Sequence, residues 1–283
     1  MTLRVTSQSV LKLDAHHAQQ TKDLLALEEP LELRIGYGPS HDRQMRNLAV
    51  TMRTPGHDQE LALGFLLTEN IIQRPSQVIS IKHCQQVSHP ESHGNILNIH
   101  LAEDLALDWS SLQRNFYTSS SCGVCGKASL ESVRQACPLP ATQTHWAITP
   151  ALLYLLPDHM RKAQAVFKHT GGLHAAALFD REGELVLMRE DIGRHNALDK
   201  IIGAALSQDL LPLNELVLML SGRSSFELIQ KAAMAGISFV AAVGAPSSLA
   251  VSLAQDQGIT LVGFLRGQKA NVYTGFQRIL THE

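Results

Sequence analysis

Ser119-Ser120-Ser121-Cys122-Gly123-Val124-Cys125-Gly126-Lys127 places two cysteines as a C-x-x-C pair, after a run of hydroxyls and before a glycine and a lysine. Ala128-Ser129-Leu130-Glu131-Ser132-Val133-Arg134 follows and reads as the first turns of a helix. A thiol beside a helix N-terminus and a cation has a stabilised thiolate. Lowering a cysteine pKa from about 8.5 to about 7 raises its thiolate fraction at neutral pH from roughly 3% to roughly half. The thiolate is the reactive form, so the segment suits sulfur chemistry. Two other uses of such a pair stay open. A structural zinc site needs four ligands, usually from a second close pair. The remaining cysteines, Cys84 and Cys137, stand singly, with His83 beside the first. A structural disulfide suits an oxidising compartment, and Met1–Leu27 lacks the pattern of a secretory leader. Cys84 and Cys137 read as ordinary buried or half-buried thiols.

Two further segments could hold an anion. Met219-Leu220-Ser221-Gly222-Arg223-Ser224-Ser225 and Ala242-Val243-Gly244-Ala245-Pro246-Ser247-Ser248 each leave a strand, turn through small residues and cap a helix with serines. Exposed N–H groups at a helix start attract anions, and Arg223 adds a bidentate donor. Plain helix capping accounts for the serines and glycines equally well, and neither loop is a P-loop. A third cluster, Glu190-Asp191-Ile192-Gly193-Arg194-His195-Asn196-Ala197-Leu198-Asp199-Lys200, is dense in polar side chains and opens a helix. Asp191 is its expected cap, with Arg194 and His195 facing what lies beyond the strand ends. His174, after Gly171-Gly172-Leu173, is either a core-edge histidine or a site residue.

The elements that position these segments follow from periodicity. Leu31–Ile35 and Leu48–Met52 read as strands, and Asp58 opens a helix running to Ile72, closed by Pro75. Val78–Ile81 and Asn95–Leu101 read as strands, the latter with one buried face. Thr149 caps a helix with Pro150 at its first position, running to about Phe167. His174–Phe179 and Glu184–Arg189 form a hairpin through Asp180–Gly183. Helices at Asn196–Leu206, Phe226–Ala235 and Leu249–Gln257 then alternate with strands at Leu216–Leu220, Phe239–Val243 and Thr260–Phe264. Short, continuously apolar strands indicate a sheet covered on both faces. The expected organisation is an N-terminal extension over residues 1–30, an α+β domain over 31–145 ending in the C-x-x-C loop, and an α/β layered domain over 146–283. The chain has 283 residues, 45% hydrophobic, and a net charge of −2. That charge argues against a nucleic-acid surface, and no apolar run has membrane-spanning length. A cytoplasmic location is expected.

Taken together, these segments resemble the FdhD family, sulfur carrier proteins required for formate dehydrogenase activity. The resemblance rests on Ser120–Lys127, Gly171-Gly172-Leu173-His174-Ala175-Ala176, the Glu190–Lys200 cluster, Ser221-Gly222-Arg223 and Gly244-Ala245-Pro246-Ser247, in that order. It implies a sulfurtransferase that accepts persulfide sulfur from a cysteine desulfurase. The sulfur passes to the metal of a bis-molybdopterin guanine dinucleotide cofactor bound for formate dehydrogenase. Cys122 matches the persulfide carrier and Cys125 the supporting cysteine; no metal site is implied. The family's cofactor segment maps to Phe264-Leu265-Arg266-Gly267-Gln268-Lys269, where Gln268-Lys269-Ala270 departs from the version in relatives. The guanine dinucleotide halves would supply phosphates, with GDP as a fragment. On this reading they sit near Ser221-Gly222-Arg223, completed by Arg194, His195 and Arg266. A two-fold homodimer would offer paired pockets for the two halves.

The resemblance further implies a layered α/β/α larger domain like the cytidine-deaminase fold. Zinc-dependent deamination needs H-x-E followed by P-C-x-x-C. His174-Ala175-Ala176 lacks the glutamate, and the C-x-x-C lies upstream and follows Ser121. Two alternatives to sulfur carriage are a thiol-disulfide oxidoreductase using Cys122 and Cys125 and a chaperone that inserts the cofactor without covalent chemistry.

Overall fold

A computed structural model describes residues 4–87, 89–105, 107, 109 and 146–281. Cys122, Cys125 and Cys137 lie outside the described residues.

The chain opens with an antiparallel hairpin, β1 (Val5–Leu13) and β2 (Ala18–Ala26). The amides of His16 and His17 both donate to Asp14 Oδ1 at 2.8 Å, which closes the turn. The first residues, expected only as an extension, are thus ordered as a two-stranded ribbon.

A four-stranded sheet follows, built from β3 (Glu29–Tyr37), β4 (Gln44–Arg53), β5 (Val78–His83) and β6 (Ile96–Leu101). Its order is β4-β3-β6-β5, with β3 and β6 parallel and both outer pairs antiparallel. Alternation puts Leu31, Leu33, Ile35, Leu97, Ile99 and Leu101 on one face, buried in the same core as Leu61 and Leu66 of α1 (Asp58–Thr68). The helix ends before the expected Ile72. Asn70 takes a left-handed φ of 56°. Its amide donates to Leu67 O at 3.0 Å, and the Ile71 amide donates to Leu66 O at 2.8 Å. This is a Schellman stop with asparagine in the place of glycine.

The six-stranded sheet contains β7 (His174–Phe179), β8 (Leu185–Asp191), β9 (Val217–Leu220), β10 (Phe239–Ala242), β11 (Thr260–Arg266) and β12 (Lys269–Thr274). Its order is β12-β11-β10-β9-β7-β8. The three strands β9, β10 and β11 are parallel, and β7 is antiparallel to both neighbours. Helices cover both faces. Ala176, Leu178, Leu218, Leu220, Val240 and Ala242 face α5 (Arg194–Ser207), α6 (Phe226–Met234) and α7 (Ser248–Asp256). The alternate residues Ala175, Ala177, Phe179, Val217, Met219 and Phe239 share a second core with α2 (Pro150–Leu153) and α3 (Leu156–Ala163). Trp146 lies in that core, stacked on Phe239 at 5.6 Å.

The single helix expected from Thr149 to Phe167 is instead three short ones. Thr149 caps the first as expected, its hydroxyl accepting from the Leu152 amide at 3.3 Å. Pro157 cannot donate the next helical bond, so the chain restarts as α3. A third helix, α4 (Phe167–Thr170), begins where Glu190 accepts from the amides of Val166 and Phe167 at 3.1 and 3.0 Å.

The two sheets meet through α1 and α5, which touch backbone to backbone. A Cβ on Gly64 would lie 1.9 Å from Asp199 O, and one on Gly203 1.9 Å from Glu60 O. The contact is locked by buried charge. Lys200 Nζ lies 2.7 Å from Asp191 Oδ2 and donates to Thr54 O at 2.8 Å. Lys231 reaches Asp199 at 3.0 Å and Glu69 at 3.1 Å. On the side of the smaller sheet alone, Arg53 is bidentate to Asp58, with both bonds at 3.1 Å.

Candidate functional site

The carboxyl ends of β8, β9, β10 and β11 and the start of β7 lie at one end of the larger sheet, where ligands collect in open α/β sheets. Three loops there are joined edge to edge. Ser221 leaves β9 and is tied back to β7, its amide donating to Ala175 O at 3.0 Å and its hydroxyl accepting from the Ala175 amide at 2.8 Å. The Gly244 amide donates to Gly222 O at 3.0 Å, and the Ser224 amide to Ala245 O at 3.1 Å. The Phe264 amide then donates to Gly244 O at 3.1 Å. Gly244 allows this approach, since a Cβ there would fall 2.9 Å from the Arg223 backbone.

The two loops differ in how they start their helices. Ser247 caps α7, its hydroxyl accepting from the Ala250 amide at 3.2 Å. Ser225 sits at the start of α6 without a side-chain cap, contrary to the expectation of matched serine caps. Its hydroxyl lies 3.4 Å from His195 Nε2 instead. Ser221 is likewise engaged with β7 rather than a helix.

The Glu190–Lys200 cluster divides by direction. Glu190 caps α4, and Asp191 is fully buried. Asp191 does not cap α5 as expected. Its Oδ1 accepts from the Gly193 amide at 2.8 Å and from Asn196 Nδ2 at 3.2 Å, while Oδ2 serves Lys200 and the Thr54 amide. Asn196 also donates to Met52 O at 2.7 Å. Asp199 and Lys200 face inward to α1 and Thr54. Arg194 and His195 are left toward the loops. His195 Nε2 pairs with Glu227 Oε2 at 2.8 Å. Arg194 Nε, Ser224 Oγ and Glu227 Oε1 are buried polar atoms with no hydrogen-bond partner among the described residues.

His174 belongs to the same group. It opens β7 in register with Asp191, and a Cβ on Gly222 would lie 3.3 Å from its Nδ1. Burial lowers the pKa of its imidazole, and Arg194, His195 and Arg223 add to that effect against the opposing Asp191. Sequence alone left His174 undecided and passed over Glu227, whose only signal was its place in the first turn of α6.

The Phe264–Lys269 segment forms the β11–β12 hairpin beside these loops. Phe264 is 44% exposed and takes a φ of 53°, an unusual conformation for a bulky residue. Leu265 turns away into the core. Arg266 is exposed, its Nε donating to Val243 O at 3.3 Å. Gly267 turns the chain with a φ of 54°, and Gln268 and Lys269 are exposed. The structure therefore gathers His174, Arg194, His195, Ser221, Gly222 and Arg223, with Phe264 and Arg266 adjoining through Gly244 and Val243. Cys84, outside this group, is half-buried and its thiol donates to Gln86 O at 3.2 Å.

Fold and site together define a mixed α/β protein with a cation-lined end suited to phosphate or carboxylate groups. The model of the FdhD/NarQ family matches residues 26–280, and the chain belongs to that family. It is 50% identical to the sulfur carrier protein FdhD of Mycolicibacterium paratuberculosis, covering 98% of this chain and 100% of that one. The sulfur carrier protein FdhD of Streptomyces avermitilis is 49% identical, over 98% of this chain and 96% of its own. A crystal structure attributed to a formate dehydrogenase accessory protein of Desulfotalea psychrophila aligns with a TM-score of 0.74 at 21% identity. It covers 98% of this chain and 100% of that one, a likeness of fold.

Proposed function

We propose that this protein is a sulfur carrier, a sulfurtransferase in the molybdenum-cofactor pathway that matures formate dehydrogenase. The observation that carries the proposal is the family match over residues 26–280, joined to relatives of about half identity named for that function. Cys122 accepts a persulfide sulfur from a cysteine desulfurase, and Cys125 supports the exchange, as a neighbouring thiol does. The sulfur passes to bis-molybdopterin guanine dinucleotide, held as cargo for formate dehydrogenase. Support for the cargo site comes from Arg194, Arg223 and Arg266 around loops whose backbone admits close approach. The buried Arg194 Nε and Ser224 Oγ, without a hydrogen-bond partner among the described residues, supply donors that a phosphate satisfies. Phe264 offers an exposed ring for a planar base. Each guanine dinucleotide half would occupy one protomer of a homodimer.

The finer fold assignment, a cytidine-deaminase-like scaffold for residues 146–283, belongs to the same proposal. Its support is the mixed sheet with helices on both faces and β7 antiparallel to its neighbours. The protein acts in the cytoplasm. No helix among the described residues is long and apolar enough to cross a membrane.

The test is mass spectrometry after incubation with a cysteine desulfurase and cysteine. Sulfur carriage gives a gain of about 32 Da on Cys122, the mark of persulfidation, and Cys122→Ala loses both the adduct and formate dehydrogenase activation. A reversible loss of about 2 Da that cycles with electron donors indicates thiol-disulfide exchange instead. An unchanged mass with activation intact in Cys122→Ala leaves only the non-covalent chaperone.

A further inference from the structure

We propose that His174 is the proton-linked ligand of the anion site: uncharged in the empty protein, it takes up a proton from solvent when a phosphate or pyrophosphate group settles between Arg194 and Arg223. This rests on the nucleotide reading above and adds to it a residue and a proton.

The argument begins with geometry. His174 is the first residue of β7, and the Ser221 bonds to Ala175 fix that strand start against the loop. The imidazole lies along Gly222, where a Cβ would come within 3.3 Å of Nδ1 and 3.4 Å of Cε1. Its ring makes no hydrogen bond to another described residue. A half-buried imidazole with no hydrogen bond to a described residue is therefore held at the mouth of the loops.

The charges around it come from three directions. The start of α5 brings Arg194 and His195, the loop after β9 brings Arg223, and the end of β8 brings Asp191. Of the carboxylates of Asp191 and Glu227, only the Oε1 atom of Glu227 lacks a hydrogen-bond partner among the described residues. Asp191 is committed to Lys200, Thr54, Gly193 and Asn196, and Glu227 to His195. Neither Arg194 nor Arg223 has an ion pair among the described residues. Among the described residues the site thus carries two guanidinium groups without a paired carboxylate beside the His174 imidazole. Burial first, and then the field of these guanidinium groups and of His195, depresses the His174 pKa. A dianion between them reverses the sign of that field, and the imidazolium becomes a third donor. Binding and protonation are then linked, so each favours the other.

The experiment follows the His174 Cε1 proton by NMR in histidine-labelled full-length protein, assigned by its loss in His174→Gln. Titrations across pH are run alone, with GDP and with inorganic pyrophosphate. The titration midpoint of His174 rises by about one pH unit or more with either ligand, the shift expected of an opposite charge at close range. Calorimetry shows net proton uptake for the wild type. GDP affinity falls by up to about tenfold per pH unit between the two midpoints, the limit for one linked proton, and His174→Gln flattens that dependence. GDP binding with an unmoved His174 midpoint overturns this inference and leaves the nucleotide reading standing. Failure of the folded wild type to bind either GDP or pyrophosphate overturns the nucleotide reading, and this inference with it.

Discussion

Replacing Lys200 with methionine tests whether buried charge locks the two halves of the chain together. The ammonium is 1% exposed and Asp191 fully buried, with 2.7 Å between the charged atoms. Burial pulls the Lys200 pKa down while Asp191 pulls it back up. Methionine keeps the apolar stem and removes the charge, so Asp191 is left as a buried carboxylate without a counter-ion. Removing one partner of such a pair costs about 3–5 kcal/mol. Asp191 keeps three donors, the Thr54 and Gly193 amides and Asn196 Nδ2. Those bonds place the loss at the lower end, about 3 kcal/mol, against about 5–15 kcal/mol for a whole domain. Urea unfolding followed by circular dichroism should show a lower midpoint with an unchanged slope. The double variant Asp191→Asn with Lys200→Met has no stranded charge and recovers at least half of the loss. A single variant within about 1 kcal/mol of wild type, below that range, refutes the reasoning. So does a double variant no more stable than the single.

Three further outcomes follow. Burial raises the Glu60 pKa, but Arg189 and His57 overcome it and hold the carboxylate at about 2. A depressed folded pKa gives stability that is present above the unfolded value of about 4.3 and lost as pH falls toward 2. Glu60→Gln should therefore be less stable than wild type at pH 7, by up to about 1 kcal/mol after solvent screening. The gap should close in melts between pH 4 and 2, and a gap constant across that window contradicts the pairing. Arg223→Ala should weaken GDP by about 1.5–3 kcal/mol, the range for a charge-assisted hydrogen bond. That is roughly ten- to hundredfold in calorimetric titration, and unaltered binding means these loops serve only as helix starts. Light scattering at micromolar concentration should give a homodimer, and a monomer that still transfers cofactor ends the paired-pocket account.

Much of this architecture was legible in the residues themselves. Alternation marked β3, β4 and β6, because a strand with one buried face records its own period. The loops after β9 and β10 showed themselves through Ser-Gly-Arg and Gly-Ala-Pro-Ser, since only small residues turn so tightly. The C-x-x-C segment, and the order of the segments around it, were enough to suggest the family. Tertiary structure alone decided the rest. β1 and β2 carry mostly exposed side chains, so their pairing left little hydrophobic signal. The helix from Thr149 broke at Pro157 and again where Glu190, more than twenty residues on, capped a new start. The Glu190–Lys200 run read as one polar helix opening. Folding sent Asp191, Asn196, Asp199 and Lys200 inward and left Arg194 and His195 at the loops. Periodicity is written locally, whereas a buried charge depends on a partner such as the Thr54 carbonyl, which lies 146 residues from Lys200. The role of each charge was therefore set by what the fold placed against it.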